Sequence, residues 1–271
     1  MGHIICIASQ KGGVGKTTTA VNLSAALAVA EKETLLVDCD PQGHSTTGMG
    51  IDKRRLKKTL SHGMMGYAIA EELVKNSHLN FLKTLPARME LFHTELELMS
   101  RPGKEKILRN LLSSLKEAYD YIIIDSPPSL SLLTVNAMTA ADSLLIPLQC
   151  EFYALEGLGQ LLQSIKILKK RFNPDVKIAG ILLTMFAAEE KISRQIAKDA
   201  RHRFRDMVFE TVIPRNVHLR ESASHGKPLL LHDIMSVGAW GYLGLAREII
   251  DQKSIFSSKD SATKDGSSET F

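Results

Sequence analysis

Cysteine is scarce in this chain. Cys6, Cys39 and Cys150 are the three among 271 residues, far apart and without the paired spacing of a zinc site. That scarcity speaks against a disulfide framework, and buried thiols in a reducing compartment are the expected role. It also speaks against a nitrogenase-type reductase, whose iron–sulfur cluster needs interfacial cysteines that strand positions cannot easily supply. No run of apolar residues is long enough to cross a bilayer, and residues 1–20 hold a glycine-rich loop where a signal peptide needs an apolar segment. The expected location is cytoplasmic. Tryptophan occurs once, and Trp240 with Tyr242 reads as packing of the last helix onto the core, not as base stacking.

What is present suits one large α/β core: 44% of residues are hydrophobic, in alternating strand and helix patterns. Apolar runs place strands near 3–8, 34–38, 79–85, 121–125, 143–148, 178–185 and 208–213, with helices between most of them. The predicted fold is a doubly wound, mostly parallel sheet flanked by helices. Residues 52–78 break the pattern and read as a surface excursion. One domain over 1–252 is expected, followed by a polar tail, 253–271, whose Ser, Lys, Asp, Thr and Gly content predicts disorder.

The chemistry concentrates in Ser9-Gln10-Lys11-Gly12-Gly13-Val14-Gly15-Lys16-Thr17-Thr18. The phosphate-binding pattern asks for a glycine four residues before Gly-Lys-Thr; here Lys11 replaces that glycine and Gly15-Lys16-Thr17 keeps the end. Glycines at 12, 13 and 15 let backbone N–H groups turn inward around phosphate oxygens at a helix start. Lys16 then reaches the β- and γ-phosphates, and Thr17 supplies a hydroxyl for Mg2+. Two further apolar runs end in acid, at Asp38-Cys39-Asp40-Pro41-Gln42-Gly43 and at Asp125-Ser126-Pro127-Pro128. A dry strand ending in a single carboxylate delivers it to the sheet edge where ligands bind and where an ion can offset its charge.

At these three motifs the chain resembles the ParA/MinD group of deviant P-loop ATPases, and within it the chromosomal, Soj-like ParA partition ATPases. Pro147 to Gly157, Val212 to Val217 and Glu221 to Pro228 are similar to segments of the same group, so the resemblance spans about residues 2–250. It implies an ATPase that hydrolyses ATP to ADP and phosphate with Mg2+. Lys11 would contact ATP held in the other subunit of a homodimer. Residues 12–18 would hold the chain's own phosphates, so Gly12, Gly13, Val14, Gly15, Lys16, Thr17 and Thr18 are the cofactor-binding set. Thr17 would ligate Mg2+, Asp125 would hold a magnesium water, and Asp40 would position the attacking water and a magnesium water too. Pro214 and Asn216 would lie near adenine.

The formal charge is +4, a mild basic bias. The resemblance implies nonspecific double-stranded DNA as a partner, a ParB-like centromere-binding protein that stimulates hydrolysis, and nucleoid association in a bacterium. Lys198, Arg201, Arg203 and Arg205 are the candidate DNA-binding residues, since phosphate contacts need charge and not base readout. Two departures from the family stand out. Ala187-Ala188-Glu189-Glu190-Lys191 occupies the position of an Asp-Ala-Arg-Thr stretch whose arginine helps bind DNA, with Arg194 or Lys191 as substitutes one turn on. His44 stands where asparagine is usual.

The alternative is a MinD-like ATPase that positions a division or polar structure through membrane or protein binding. Its membrane form needs a basic, apolar C-terminal helix, and Asp251 to Phe271 has only Ile255, Phe256 and Phe271 as large apolar groups. Membrane attachment is therefore not expected. An amidoligase on the same loop lacks room for a glutaminase-like region. His218, His225 and His232 recur every seven residues, but Pro228 and nearby glycines break helical periodicity and no accompanying carboxylate cluster is read, so no metal is assigned to them.

Overall fold

Each central strand buries both of its faces, as parallel strands covered by helices on two sides must. In β1 (His3–Ile7), Ile4 and Cys6 point into one apolar layer, while Ile5 and Ile7 point into the other. The computed structural model describes residues 2–262. The other strands are β2 (Thr34–Asp38), β3 (Lys75–Asn76), β4 (Leu82–Leu85), β5 (Tyr121–Asp125), β6 (Ser143–Gln149), β7 (Lys177–Phe186) and β8 (Val208–Pro214). They form one sheet in the order β3-β4-β2-β5-β1-β6-β7-β8. Every neighbouring pair is parallel except the two-residue β3 against β4.

The seven expected strands are present. The third starts later than its apolar run suggests, because Phe81 adopts a left-handed φ of 62° and keeps the turn open until Leu82.

The helices, in chain order, are α1 (Lys16–Val29), α2 (His44–Gly48), α3 (Leu60–Met65), α4 (Ala70–Leu73), α5 (Glu90–Leu98), α6 (Ile107–Leu112), α7 (Leu132–Ala140), α8 (Ala154–Arg171), α9 (Lys191–Phe204), α10 (His218–Ser224), α11 (Leu229–His232) and α12 (Val237–Ala262). Helices α3 to α9 cover the face that carries Cys6, Val37, Ile124 and Ile146. The opposite face, with Ile5, Leu36, Ile123 and Leu145, is covered by α1, α11 and α12 through Leu23, Leu27, Leu229, Tyr242 and Leu245. Helix α1 consequently lies across the middle of the sheet, with its N-terminus at the carboxyl ends of the central strands.

Three sequence readings change. Residues 52–78 are not purely a surface excursion, because Leu60, Met64, Ala70 and Leu73 are buried in the first layer. Tyr242 packs the last helix as expected, but Trp240 faces solvent at 60% exposure. Helix α12 continues to Ala262, so the boundary expected at 252 falls inside a helix; positions 263–271 of the expected tail lie outside the described residues.

Candidate nucleotide site

Between β1 and α1 the backbone turns through Gly13 at φ 79° and Gly15 at φ 92°, both in the left-handed region that side chains disfavour. A Cβ at Gly12 or Gly13 would meet no protein atom within 4 Å, so at these two positions it would project into the open space of the loop. The cradle therefore has room for phosphate oxygens. Helix α1 has no side-chain cap and no acidic residue in its first turn, which leaves its N–H groups and positive dipole end available to an anion. Thr184 Oγ1 in β7 donates to the Val14 carbonyl at 2.9 Å and pins the loop to the sheet.

Lys16 is buried, and its Nζ donates to the Lys11 carbonyl at 2.9 Å, across the loop. Burial lowers its pKa, while the carboxylates of Asp125 and Asp40 oppose that shift. Register explains their proximity: Asp38 and Asp125 stand opposite each other at the ends of β2 and β5, beside the end of β1.

The three acids differ in what they touch. Asp38 is fully buried and accepts from the Thr46 N–H and hydroxyl, each at 2.7 Å, so it anchors the start of α2. Asp125 accepts from Ser45 Oγ at 2.5 Å through Oδ2, while Oδ1 is buried without a hydrogen-bond partner. Burial pushes the pKa of Asp125 up, and the nearby Asp38 charge adds to the rise; Ser45 and Thr17 pull it down. Asp38 is raised for the same first reason, against its Thr46 hydrogen bonds. An unsatisfied buried carboxylate oxygen next to a threonine hydroxyl suits a hydrated Mg2+, whose charge would offset the crowding of acids.

Asp40 lies beyond the strand end, where its Oδ1 accepts from the Gln42 N–H at 2.9 Å. The turn closes at Gly43, with φ 63°; a Cβ there would come within 2.7 Å of the Ala87 carbonyl oxygen. Lys53 Nζ donates to the Gln42 carbonyl at 2.7 Å and ties the 52–78 segment onto this loop.

Lys11 is exposed at the rim, and its Nζ pairs with Glu151, just past β6. Phe152 and Tyr153, next to Glu151, are also exposed and pack edge to face. A cleft of about 300 Å³ opens between α1, α2 and α10, lined by Thr17, Thr18, His44, Thr47, Leu219 and Ser222 among others. His44 is thus an exposed residue on the wall of a cleft beside the phosphate loop. Pro214 ends β8, and Asn216 Oδ1 accepts from the His218 N–H at 2.9 Å; neither is among the residues lining that cleft.

Of the basic residues, Lys198, Arg203 and Arg205 are exposed, whereas Arg201 is half-buried with its guanidinium donating to the Glu210 carbonyl at 3.0 Å. The run does not continue along one helical face, because Arg205 turns the chain at φ 45°. Glu190 is paired with Arg215 at 2.9 Å, and Arg194 donates to the Ala188 carbonyl at 2.6 Å.

Ser45, Thr46, Thr184 and Glu151 went unnoticed in the sequence, since each acts through a partner on another element. Glu221 is a more specific correction. It brings a carboxylate between His218 and His232, where the sequence reading saw none. The three cysteines are buried thiols, with Cys6 pushed up to about 12 and Cys150 to about 11, mainly by burial. No helix among the described residues is long and apolar enough to cross a membrane.

Comparison with known proteins agrees with this geometry. A family model described as an AAA domain matches residues 2–178. The chromosome partitioning protein ParA of Myxococcus xanthus is 50% identical over 250 residues, covering 92% of this chain and 88% of that one. The sporulation initiation inhibitor protein Soj of Bacillus subtilis is 49% identical over 249 residues, covering 92% and 98%. Among solved structures, cobyrinic acid a,c-diamide synthase from Mycobacterium smegmatis, with bound ADP and magnesium, superposes with a TM-score of 0.81 at 34% identity over 91% of this chain and 93% of that one. With about half of some 250 residues identical to ParA and to Soj, and a family model matching residues 2–178, the chain belongs to the ParA/MinD family of P-loop ATPases.

Proposed function

We propose that this protein is an ATP-dependent DNA partition ATPase, acting in the cytoplasm on nucleoid DNA through an ATP-held homodimer. The observation that carries the reading is the division of labour between two lysines. Lys16 is buried inside its own loop, while Lys11 stands exposed at the rim, held by Glu151 and free to exchange that partner for a phosphate on a second copy. An ordinary phosphate loop needs only the first.

In the mechanism, the N–H groups of residues 12–18 and the Lys16 ammonium hold and orient the phosphates. Thr17 and the free oxygen of Asp125 would hold Mg2+, directly and through water. Bound Mg2+ supplies neutralisation of charge on the phosphate oxygens. Asp40 orients the attacking water, and Lys11 stabilises charge from the partner's side, so hydrolysis requires the dimer. Pro214 and Asn216 contact adenine in this reading. Lys198, Arg203 and Arg205 meet DNA phosphates, and Arg201 supports them. A ParB-like protein stimulates hydrolysis and so releases the DNA. The ATPase unit takes in residues 1–252, and helix α12 carries it on to Ala262.

Support comes from relatives named for chromosome partitioning at 50% and 46% identity, against a synthase name at 34%. The deciding experiment is binding to nonspecific duplex DNA with ATP, ADP or no nucleotide, at two salt concentrations, for the wild type and Lys11→Ala. ATP-dependent, salt-sensitive binding that disappears in the variant is expected. Absence of DNA binding in every state sinks the proposal in favour of protein or membrane positioning, which vesicle pelleting with ATP would then test.

A further inference from the structure

Across the turn from α10 to α11, four side chains with metal-binding chemistry come together outside the nucleotide site. His218 Nδ1 lies 3.2 Å from Glu221 Oε2, and His232 Nε2 lies 3.9 Å from the same oxygen. The three ligand atoms are all within 4.8 Å of one another. Asp233 Oδ2 stands 3.8 Å from His218 Nδ1. Metal–ligand bonds of about 2.0–2.2 Å in a tetrahedral site put neighbouring donor atoms about 3.3–3.6 Å apart, so the observed spacing needs only small side-chain rotations.

We propose that His218, Glu221 and His232 form a binding site for a divalent transition metal of the zinc class, with Asp233 as a nearby carboxylate and water as the remaining ligand. Two imidazoles with one carboxylate select Zn2+, Co2+ or Ni2+ over Mg2+, which prefers oxygen alone. The surroundings orient the ligands. Helix α10 sets His218 and Glu221 one turn apart on the same side, and the Asn216 side chain accepts from the His218 N–H at its start. The His225 ring stacks on His232 at 5.2 Å, while its Nδ1 lies 2.8 Å from the Glu221 carbonyl oxygen. The ligands are accessible, with side-chain exposures of 45% for His218, 56% for Glu221 and 24% for His232.

Such a metal fastens α10 to α11. Because Leu219 and Ser222 of α10 line the cleft beside Thr17 and Thr18, occupancy stiffens a wall of that cleft. The site stands on its own side chains and holds whether or not the chain partitions DNA.

The test is titration of the untagged, nucleotide-free full chain with Co2+ in excess Mg2+, read by visible absorption and calorimetry. One Co2+ per chain, displaced by Zn2+, is expected. His232→Ala should weaken binding about 100-fold or more and Glu221→Gln at least about tenfold, while exposed His93→Ala leaves it unchanged. No uptake by the wild type, or uptake that survives His218→Ala with His232→Ala, overturns the site. Independently of variant folding, Zn2+ should shield His218 and His232 from diethyl pyrocarbonate while His93 still reacts; equal modification with and without Zn2+ also overturns it.

Discussion

At the phosphate loop nearly every functional atom belongs to backbone or to a side chain fixed at a buried strand end, whereas across α9 to α11 it belongs to a half-exposed side chain whose partner comes from another element. Asp125 cannot move away from Asp38, because strand register holds them opposite each other. Arg201 and His218, by contrast, take their roles from Glu210 and Glu221. The first region is built to receive charge without rearranging; the second is built of contacts that substitution can remake.

The largest expected effect separates the two lysines inside the first region. Lys11→Ala should keep monomer affinity for ATP within a few-fold yet lower steady-state hydrolysis at least about 100-fold, since a charge-stabilising group of this kind is worth that much. Nucleotide titration alongside light scattering checks it, and an ATP dimer of wild-type affinity would remove Lys11 from the interface. Asp40→Ala should cost about 100-fold in single-turnover hydrolysis while the dimer persists, because positioning of water is lost but the phosphate cradle is intact. Normal single-turnover hydrolysis would show that another group orients the water.

How legible each region was follows from the same contrast. The glycine spacing of residues 12–15 and the acids at 38, 40 and 125 end apolar runs, so strand direction alone carried them to one sheet edge. The Lys53 segment was misjudged because its basic start hides Leu60 and Met64, which the spacing of a short helix turns inward. His218, Glu221 and His232 were illegible as a group: their proximity depends on a turn at Gly226 and Pro228 folding α11 back on α10, and seven-residue spacing says nothing of that. Trp240 failed for a simpler reason, since neighbouring positions on one helix face different directions and only Tyr242 points to the core.

Acidity offers a sharper probe of the first region, read through stability. Burial and Asp38 push Asp125 up to about 7 from an ordinary 3.8. The folded chain therefore binds this proton more tightly than the unfolded chain does. Its stabilising contribution is full below the unfolded value and is lost as pH rises through about 7. Urea unfolding of nucleotide-free protein should accordingly give lower stability at pH 8 than at pH 5.5, and Asp125→Asn should flatten that difference. A wild-type slope retained in the variant would assign the linkage to other groups.

The smallest expected effect lies in the second region, and it separates charge that meets DNA from charge that holds the fold. Arg203 is exposed, so Arg203→Ala should weaken ATP-dependent DNA binding a few-fold and reduce the slope of log affinity against log salt by about 1, the signature of one phosphate contact. Arg201 donates to a backbone carbonyl of β8 and is half-buried; Arg201→Ala should instead cost about 1 kcal/mol of stability and change the salt slope less. Fluorescence anisotropy on duplex DNA at several salt concentrations, with urea unfolding of each variant, measures both quantities. If Arg201 alters the slope and Arg203 does not, the DNA-facing side of α9 is the one turned toward β8, and the guanidinium now bonded to Glu210 must leave that carbonyl when DNA binds.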